Sequence, residues 1–526
     1  MNYPVWEVPL LGGGLVIALI AIPHVFVSHF AIGGGIFLAF SEWRGRRDNR
    51  PELIELARRN SLFFVLVTLV FGAVTGVGIW FSIGLVHPPA TSALIRNFVF
   101  AWAIEWVFFL VEIAAALLYY YSWDRVDWKT HQIIGWAYGI AAWMSLFVIN
   151  GILAFMLTPG AWIENGSFWS AFFNPTYFPS LFIRTCVCLA LAGLYALFMA
   201  SREAPGAVHD SLVQYASKWL IPAFIGLPIF GAWFAARLPP LARAIVQGGA
   251  PTVTMFAVMS VVISGMIFVF AYFIAYRNPQ SVNPAVALIF LVLGLGVTGV
   301  TEWVREAVRK PYVIYDYMYS NAVRKSEVAQ LRETGVLAVA KWATVREIAP
   351  GNRLEAGREV FTLQCAYCHT IDGYNGIRLF VRGWSERFIG NQIRHLDELK
   401  RFMPPFAGNV AEREALAAWL ASLNPGVPTP ADDRATVAEV AERDLVAVGQ
   451  EVYDFECANC HTLDGENPLR PKVRGWSQSY IAEQITRLEH LKGDMPPFEG
   501  TDAERRALAA YLATLNADAQ AAGGAQ

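Results

Sequence analysis

Residues 11–40 read LGGGLVIALIAIPHVFVSHFAIGGGIFLAF, a run of 30 residues without a single Lys, Arg, Asp or Glu. The hydrocarbon core of a bilayer requires about 20 apolar residues of α-helix, so this run predicts a membrane-spanning helix. Seven similar blocks follow along the chain, at 61–86, 98–121, 132–157, 177–200, 217–236, 252–276 and 283–303. The sequence therefore predicts an all-α fold that begins with a transmembrane bundle of about eight helices.

Composition separates this apolar part from a soluble C-terminal part. The chain is 55% hydrophobic and only 16% charged, against roughly a quarter charged in soluble domains. Residues 350–526 contain 18 Lys and Arg but 25 Asp and Glu. Such an acidic portion does not bind nucleic acid by neutralising phosphates. Its charge indicates a solvated surface, with steering of a basic protein partner as the alternative.

The short loops predict the orientation in the membrane. Loops after the first, third, fifth and seventh spans carry 11 Lys and Arg, whereas the opposite loops carry 3. Basic loops stay in the cytoplasm, so we expect the N-terminus and the C-terminal part to lie outside. The start of the chain lacks the basic residues of a cleavable signal peptide, and the first span is expected to act as an uncleaved signal.

The C-terminal part contains an internal duplication. CAYCHT at Cys365 and CANCHT at Cys457 are 92 residues apart, and the same offset superposes EREALAAWLASLN on ERRALAAYLATLN. A repeated unit of about 70 residues indicates two copies of one small helical domain. The predicted organisation is a membrane domain (1–311), a linker (312–350), two repeats (351–425 and 444–517) joined by a second linker (426–443), and a disordered tail (518–526).

Each repeat carries the C-x-x-C-H pattern, which is the attachment signature of c-type haem. The two thiols bind the haem covalently and the adjacent histidine ligates its iron. A single copy is also compatible with chance, a zinc site or a redox motif, but two copies in matched repeats favour haem. The expected haem-binding residues are Cys365, Cys368 and His369 in the first repeat and Cys457, Cys460 and His461 in the second.

The second axial ligand is expected downstream of each histidine. Met403 and Met495 each follow their histidine by 34 residues, and both occur in MPPF. A His/Met pair raises the reduction potential and leaves no open iron position, which is typical of an electron carrier. His395 and His490 are the rival ligands, but the offset of 92 does not repeat either one.

Ionisable side chains within the apolar blocks are candidates for function, because they are costly in lipid. They are His24, His29, Glu105, Glu112 and Arg184, with Glu306 at the end of the last span and Met259 as a possible soft ligand. Glu105 and Glu112 are two helical turns apart and share one helix face. Each histidine is alternatively a packing residue, and Met259 is alternatively core filler.

The membrane part resembles subunit I of cytochrome bd-type oxidases. The similarity is carried by AIPHVFVSHFAIGGGIFLAFSEW, LVFGAVTGVGIWFSIG, FAWAIEWVFFLVEIAAALLYYYSWDR, MFAVMSVVISGMIF and EWVREAVRKPY. The resemblance implies that His24 is an axial haem ligand and that Met259 is a ligand of the low-spin b haem. It also implies that Glu306 ligates, and Arg309 lies near, the high-spin haems.

The acidic pair is implied to have a role as well. By the resemblance, Glu105 and Glu112 match residues of proton delivery and of the haem environment, although Glu112 is one residue closer to Glu105 than in the family. Arg184 stands where the family has the histidine partner of the low-spin b haem. Arginine does not ligate iron, so this haem is either lost or re-ligated by His29, and Arg184 instead pairs with a carboxylate or a haem propionate.

The sequence departs from the family in two further respects, a short loop and a missing span. Only 14 residues, 237–250, join the sixth and seventh spans, where the family has a long quinol-binding loop. The family's ninth span is also absent, which places the C-terminal repeats on the outer side.

The leading hypothesis is a bd-like respiratory oxidoreductase that passes electrons from a c-type cytochrome through two covalent haems c to one or more non-covalent b- or d-type haems, and on to dioxygen. A quinone–cytochrome c oxidoreductase and a non-catalytic electron-relay subunit are the alternatives. The resemblance implies a second membrane subunit similar to subunit II. The expected location is a bacterial cytoplasmic membrane, in contact with its lipids.

Overall fold

The chain forms two compact units, Val5–Lys325 and Ser326–Gln526. The structure is a computed structural model. It describes residues 3–399, 402–424, 444–458, 461–464, 468–491, 495, 497–498 and 500–523.

Within the described residues, eight helices are long and apolar enough to cross a membrane, which confirms the predicted number. They are α1 (Gly12–Arg47), α2 (Pro51–Val86), α3 (Pro88–Tyr121), α4 (Trp128–Phe155), α5 (Tyr177–Ala200), α6 (Ala207–Ala236), α7 (Pro251–Tyr276) and α8 (Pro284–Ala307). Several extend beyond the predicted apolar blocks, because hydropathy marks the apolar centre of a helix and not its polar ends. Asp127, for example, caps α4 by accepting hydrogen bonds from two backbone N–H groups at 3.0 and 3.1 Å.

Helix α1 is the centre of the membrane unit and packs against α2, α4, α5 and α8. Its Gly33-Gly34-Gly35 run makes these contacts close. An added Cβ would overlap the Cys188 carbonyl oxygen at Gly33 and the Phe64 ring at Gly34, and would lie 3.2 Å from the Tyr138 ring at Gly35. Small residues let membrane helices approach to backbone contact, so this run fixes α1 against three neighbours.

A buried ionic cluster connects the C-terminal end of α1 to α3 and α4. Glu42, fully buried, accepts hydrogen bonds from His131 Nδ1 at 2.9 Å and from the Tyr119 hydroxyl at 3.1 Å. Arg46 contributes an ion pair to Glu42 at 3.1 Å. Because a buried carboxylate is tolerated only when it is paired and hydrogen-bonded, this cluster specifies how the three helices meet.

Short elements connect the spans. They are helices Trp162–Asn165, Phe168–Phe172 and Pro240–Ala244, a π turn at Ile245–Gly249 and a 3₁₀ turn at Pro279–Ser281. After α8 come two antiparallel strands, β1 (Tyr312–Ile314) and β2 (Met318–Tyr319), with Tyr312 opposite Tyr319. The second unit begins near the 3₁₀ turn Lys325–Glu327, followed by helices Val328–Thr334 and Val336–Val339.

The two repeats have the same sequence of helices. The first contains α9 (Arg353–Gln364), α10 (Ile377–Phe380), α11 (Glu386–Arg394), α12 (Leu396–Leu399) and α13 (Val410–Ser422). The second contains α14 (Leu445–Glu456), α15 (Arg470–Val473), α16 (Gln478–Ile485), α17 (Leu488–Leu491) and α18 (Asp502–Gly523). The mostly helical fold, with small helical domains after the membrane bundle, agrees with the sequence-based prediction.

Both repeats are built around the same crossing of their first and last helices. An added Cβ at Gly357 would overlap the Ala415 carbonyl oxygen, and the equivalent Gly449 makes the same approach to Ala507. The aromatic rings beside each crossing are 4.9 Å and 5.5 Å apart, and both pairs have an interplanar angle of 43°; they are Phe361–Trp419 and Tyr453–Tyr511. The duplication seen in the sequence is therefore also present in the packing.

Some of the predicted features lie outside the described residues. Cys460, the linker 426–443 and the last residues of the tail, 524–526, belong to this group. Helix α18 continues to Gly523, beyond the repeat boundary of 517 that the sequence suggested.

Candidate functional site

In the first repeat, the two thiols and the histidine share a single helical turn. The backbone N–H groups of Cys368 and His369 both donate to the Cys365 carbonyl, at 3.0 and 2.9 Å. His369 Nδ1 donates to the Asn375 carbonyl at 3.1 Å, and the Asn375 amide donates to the Cys368 carbonyl at 2.7 Å. With its proton on Nδ1, the ring carries its lone pair on Nε2, the nitrogen suited to an iron.

The surroundings of this turn concern the zinc and redox alternatives. Burial raises the pKa of the Cys365 thiol to about 12. Among the described residues, no three His, Cys, Asp or Glu side chains are grouped so as to hold a metal ion. The spacing of the two thiols and the adjacent histidine within one turn fits covalent haem attachment.

The second repeat repeats this turn where it is described. The His461 backbone N–H donates to the Cys457 carbonyl at 2.9 Å, and the Tyr453 hydroxyl donates to the His461 carbonyl at 2.8 Å. His461 Nδ1 lies 3.5 Å from Lys472 Nζ, whereas the counterpart of Lys472 in the first repeat is Phe380, whose ring lies 5.9 Å from the His369 ring. The two haem sites therefore share their backbone geometry and differ in the charge beside the histidine.

The predicted second axial ligands are placed in corresponding segments. Met403 and Met495 are both half-buried, and each lies just before the last helix of its repeat. The rival His395 ends α11 and is half-buried, whereas the side chain of His490 lies outside the described residues. Met403 and Met495 stay a prediction as iron ligands.

In the membrane unit, His24 is held in a single ring orientation. Its Nδ1 lies 2.9 Å from Thr75 Oγ1, and the Thr75 hydroxyl itself donates to the Phe71 carbonyl at 2.6 Å. Thr75 therefore accepts the Nδ1 proton, and His24 carries its lone pair on Nε2. Gly76 makes room for the imidazole, because an added Cβ there would lie 3.3 Å from His24 Cε1. His24 fits the role of an axial haem ligand.

His29 and Arg184 are brought together and are hydrogen-bonded to each other. His29 Nδ1 donates to the Val25 carbonyl at 2.6 Å, and Arg184 Nη1 lies 3.3 Å from His29 Nε2. Arg184 is also 3.6 Å from Glu302, which Arg305 holds at 2.8 Å. Glu302 is therefore a carboxylate partner of Arg184, as one of the two sequence-based alternatives suggested.

The other candidates are more dispersed. Glu306 forms ion pairs with Arg309 and with Lys310, and its side chain is 48% exposed. Arg309 is buried and donates to the Val313 carbonyl at 2.8 Å. Met259 is 40% exposed on α7 and takes no part in the buried network around Arg184.

Glu105 and Glu112 lie on the same face of α3 with different surroundings. Glu105 is half-buried and accepts a hydrogen bond from the Ser145 hydroxyl at 2.8 Å. Glu112 is only 5% exposed. The pair provides two carboxyl groups about two helical turns apart, one half-buried and one buried.

Sequence reasoning missed Thr75, Asn375, Glu302 and Arg305. A buried arginine requires a counter-charge, and the two acidic residues of EWVRE were the available signal for Glu302. Thr75 and Asn375 gave no comparable signal, because their partners come from distant positions or from backbone atoms.

The fold and these sites define a membrane-embedded haem protein of electron transport with a C-terminal pair of cytochrome c domains. Residues 15–240 match the family "Cytochrome bd terminal oxidase subunit I", and residues 352–420 and 444–512 each match "Cytochrome C oxidase, cbb3-type, subunit III". The chain thus carries an N-terminal cytochrome bd oxidase subunit I domain followed by two cytochrome c domains of the cbb3 subunit III type.

Individual relatives agree with this assignment. The "Cbb3-type cytochrome c oxidase subunit CcoP" of Helicobacter pylori (strain 52) is 25% identical over 194 residues, which are 34% of this chain and 62% of that protein. The chain therefore spans about three fifths of that relative. The bd oxidase of Geobacillus thermodenitrificans superposes with a TM-score of 0.52 at 17% identity, covering 60% of this chain and 91% of that one, and shows the shared fold.

Proposed function

We propose that this protein is the haem-carrying subunit of a bd-like terminal oxidase that receives electrons from a c-type cytochrome instead of a quinol. The observation that carries the proposal is His24, whose Nδ1 is fixed by Thr75 so that Nε2 is available to an iron. The same chain carries two C-x-x-C-H sites that supply electrons. A haem with an open axial position supplies the dioxygen chemistry.

The connection between α6 and α7 favours a cytochrome as electron donor. It consists of 14 residues, which contain one short helix and a π turn, in place of the long quinol loop that the resemblance implies. The expected orientation puts both repeats on the outer side, where a soluble c-type cytochrome reaches them. A second membrane subunit similar to subunit II would complete the complex.

The charges of the two repeats suggest the order in which electrons pass through them. The first repeat, residues 352–424, contains nine Lys and Arg and eight Asp and Glu. The second repeat, residues 444–516, contains seven Lys and Arg and twelve Asp and Glu. An acidic surface accelerates the docking of a basic partner and does so less at high salt. We therefore place the entry of electrons at the second repeat and their transfer to the membrane unit at the first.

Protons for water formation are assigned to the carboxyl groups of α3. Glu112 is buried and Glu105 is hydrogen-bonded to Ser145. Two carboxyl groups on one helix face can pass a proton between them through intervening water. Arg309 holds Glu306 near the end of α8, which keeps that carboxylate in one place.

Oxygen uptake by the purified complex tests the proposal. We expect uptake with a reduced basic cytochrome c and little with a quinol, together with a CO-induced change in the reduced spectrum. His24→Gln should abolish uptake and leave cytochrome-driven reduction of the two haems c intact. Quinol-driven reduction of the haems c without oxygen uptake would support a quinone–cytochrome oxidoreductase instead. A complex without oxygen uptake from either donor and without CO reactivity would be an electron relay.

A further inference from the structure

The resemblance implies a low-spin haem in the membrane unit with axial ligands at the positions of Arg184 and Met259. We propose that the buried network of His29, Arg184, Glu302 and Arg305 takes the place of this haem, and that His29 is a hydrogen-bond acceptor and not an iron ligand. The inference goes beyond the proposed function, which requires only a haem at His24.

Both ring nitrogens of His29 are already in use. A neutral imidazole has one N–H donor and one lone pair. Nδ1 lies 2.6 Å from the Val25 carbonyl oxygen and must donate to it, since a carbonyl only accepts. The lone pair is then on Nε2, which lies 3.3 Å from Arg184 Nη1. Because a guanidinium only donates, Nε2 is the acceptor, and its lone pair is committed to Arg184.

The helices that carry His29 and Arg184 are in close contact one turn away. One turn farther along both helices, Gly33 of α1 lies so close to Cys188 of α5 that an added Cβ would overlap the Cys188 carbonyl oxygen. Helices α1 and α5 are thus in backbone contact four residues from His29 and from Arg184. A porphyrin ring between these two side chains would have to separate the helices at that point.

The network also pairs its one carboxylate, Glu302, with two arginines. The Arg184 side chain is 10% exposed and the Glu302 side chain 14% exposed, with 3.6 Å between Nη2 and Oε1. Arg305 holds the second oxygen of Glu302 at 2.8 Å. Buried charges persist when they are paired and hydrogen-bonded, and here α5 and α8 provide both signs. Met259 is 40% exposed on α7 and forms none of these contacts.

The test is a count of haem in His29→Gln, whose amide oxygen still accepts from Arg184, with His24→Gln as the matched control on the same helix. Extraction with acidified acetone releases non-covalent haem and leaves the two haems c on the chain, which serve as the internal standard. We expect H29Q to keep the wild-type ratio and an unchanged low-spin EPR spectrum, and H24Q to lose about one equivalent. Loss of one equivalent in H29Q would overturn the inference.

Arg184→Lys provides an independent check if H29Q does not fold. Lysine retains the positive charge opposite Glu302, so the non-covalent haem ratio should stay at the wild-type value. A lower ratio in R184K would mean that Arg184 holds a haem, which also contradicts the proposal. Wild-type protein without any extractable haem would overturn the proposed function and leave this inference standing.

Discussion

Thr75 Oγ1 on α2 lies 2.9 Å from His24 Nδ1 on α1, and this contact fixes the ring nitrogen that the histidine can offer to a metal. Hydrogen bonds to the second ring nitrogen of a histidine ligand orient the ring and typically change metal affinity by about 10–100-fold when they are removed.

Thr75→Val should therefore weaken the retention of non-covalent haem in the membrane unit by about 10-fold or more. Valine has the shape of threonine but cannot accept the Nδ1 proton. The measurement is the non-covalent haem remaining after titration with apomyoglobin as a haem acceptor. Thr298→Val is the matched control, because the Thr298 hydroxyl donates to its own helix at Gly294. Equal retention in the two variants would contradict a role for Thr75.

Replacing the thiols of one repeat should remove one covalent haem and leave the other. In Cys365→Ala/Cys368→Ala, intact-protein mass spectrometry is expected to show the mass of a single attached haem. Cys457→Ala/Cys460→Ala should also show the mass of a single attached haem, and the haem c band of its reduced spectrum should come from the first repeat alone. Cys186→Ala/Cys188→Ala is the control, since these cysteines lie within α5. A chain with two attached haems in either repeat variant would refute the assignment.

The hydrogen bonds of Glu412 lead us to expect that the equivalent substitution has different effects in the two repeats. Glu412 is 2% exposed, and its carboxylate accepts hydrogen bonds from the backbone N–H groups of Val336 and Leu337 at 2.9 and 2.8 Å. Glu412→Gln should destabilise the first repeat by about 1.5–3 kcal/mol, and limited proteolysis should cut near Val336 faster. The equivalent Glu504→Gln, which loses a bond to the Thr501 N–H, should leave cleavage near Val336 unchanged. Equal cleavage in both variants would show that Glu412 does not hold this segment.

His87 predicts loss of stability in mild acid. Burial lowers the pKa of His87 to about 4, and the positive charge of Lys310 acts in the same direction. The ring is therefore neutral in the folded protein, and Nδ1 accepts the Ala90 N–H at 3.3 Å. Because the unfolded histidine has a pKa near 6.5, stability is fully present above about pH 6.5 and is lost as the pH falls from there toward 4.

Thermal unfolding in detergent between pH 4 and 7 measures this dependence. His87→Asn keeps a capping acceptor but does not titrate in this range, so its curve should be flatter than that of the wild type. If the stability of the variant falls as steeply with pH as that of the wild type, groups other than His87 cause the pH dependence.

Ser145 and Glu105 test the proton path. Ser145→Ala removes the hydrogen bond at 2.8 Å that fixes the Glu105 carboxyl group, and oxygen uptake should fall several-fold. Glu105→Gln cannot carry a proton, so its uptake should fall by about 100-fold or more. Both variants should keep the wild-type rate of haem c reduction. An unchanged rate of uptake in Glu105→Gln would remove Glu105 from the path.

The sequence by itself determined the architecture. Hydropathy located eight spans, because a bilayer demands about 20 apolar residues from every helix that crosses it. The spacing of 92 residues between CAYCHT and CANCHT located the two repeats, and it reappears as the matched crossings at Gly357 and Gly449. These features are local or periodic, so a linear pattern is enough to define them.

The tertiary structure decided which buried side chains meet. His24 and His29 lie five residues apart in the same apolar segment, and the sequence does not distinguish their roles. In the structure, Thr75 orients the His24 ring, whereas His29 accepts a hydrogen bond from Arg184. Partners such as Arg184 and Glu302 are more than 100 residues apart, and no periodicity links them. Their pairing follows from how the helices pack, because a buried charge or ring nitrogen must find its partner on whichever neighbour the packing provides.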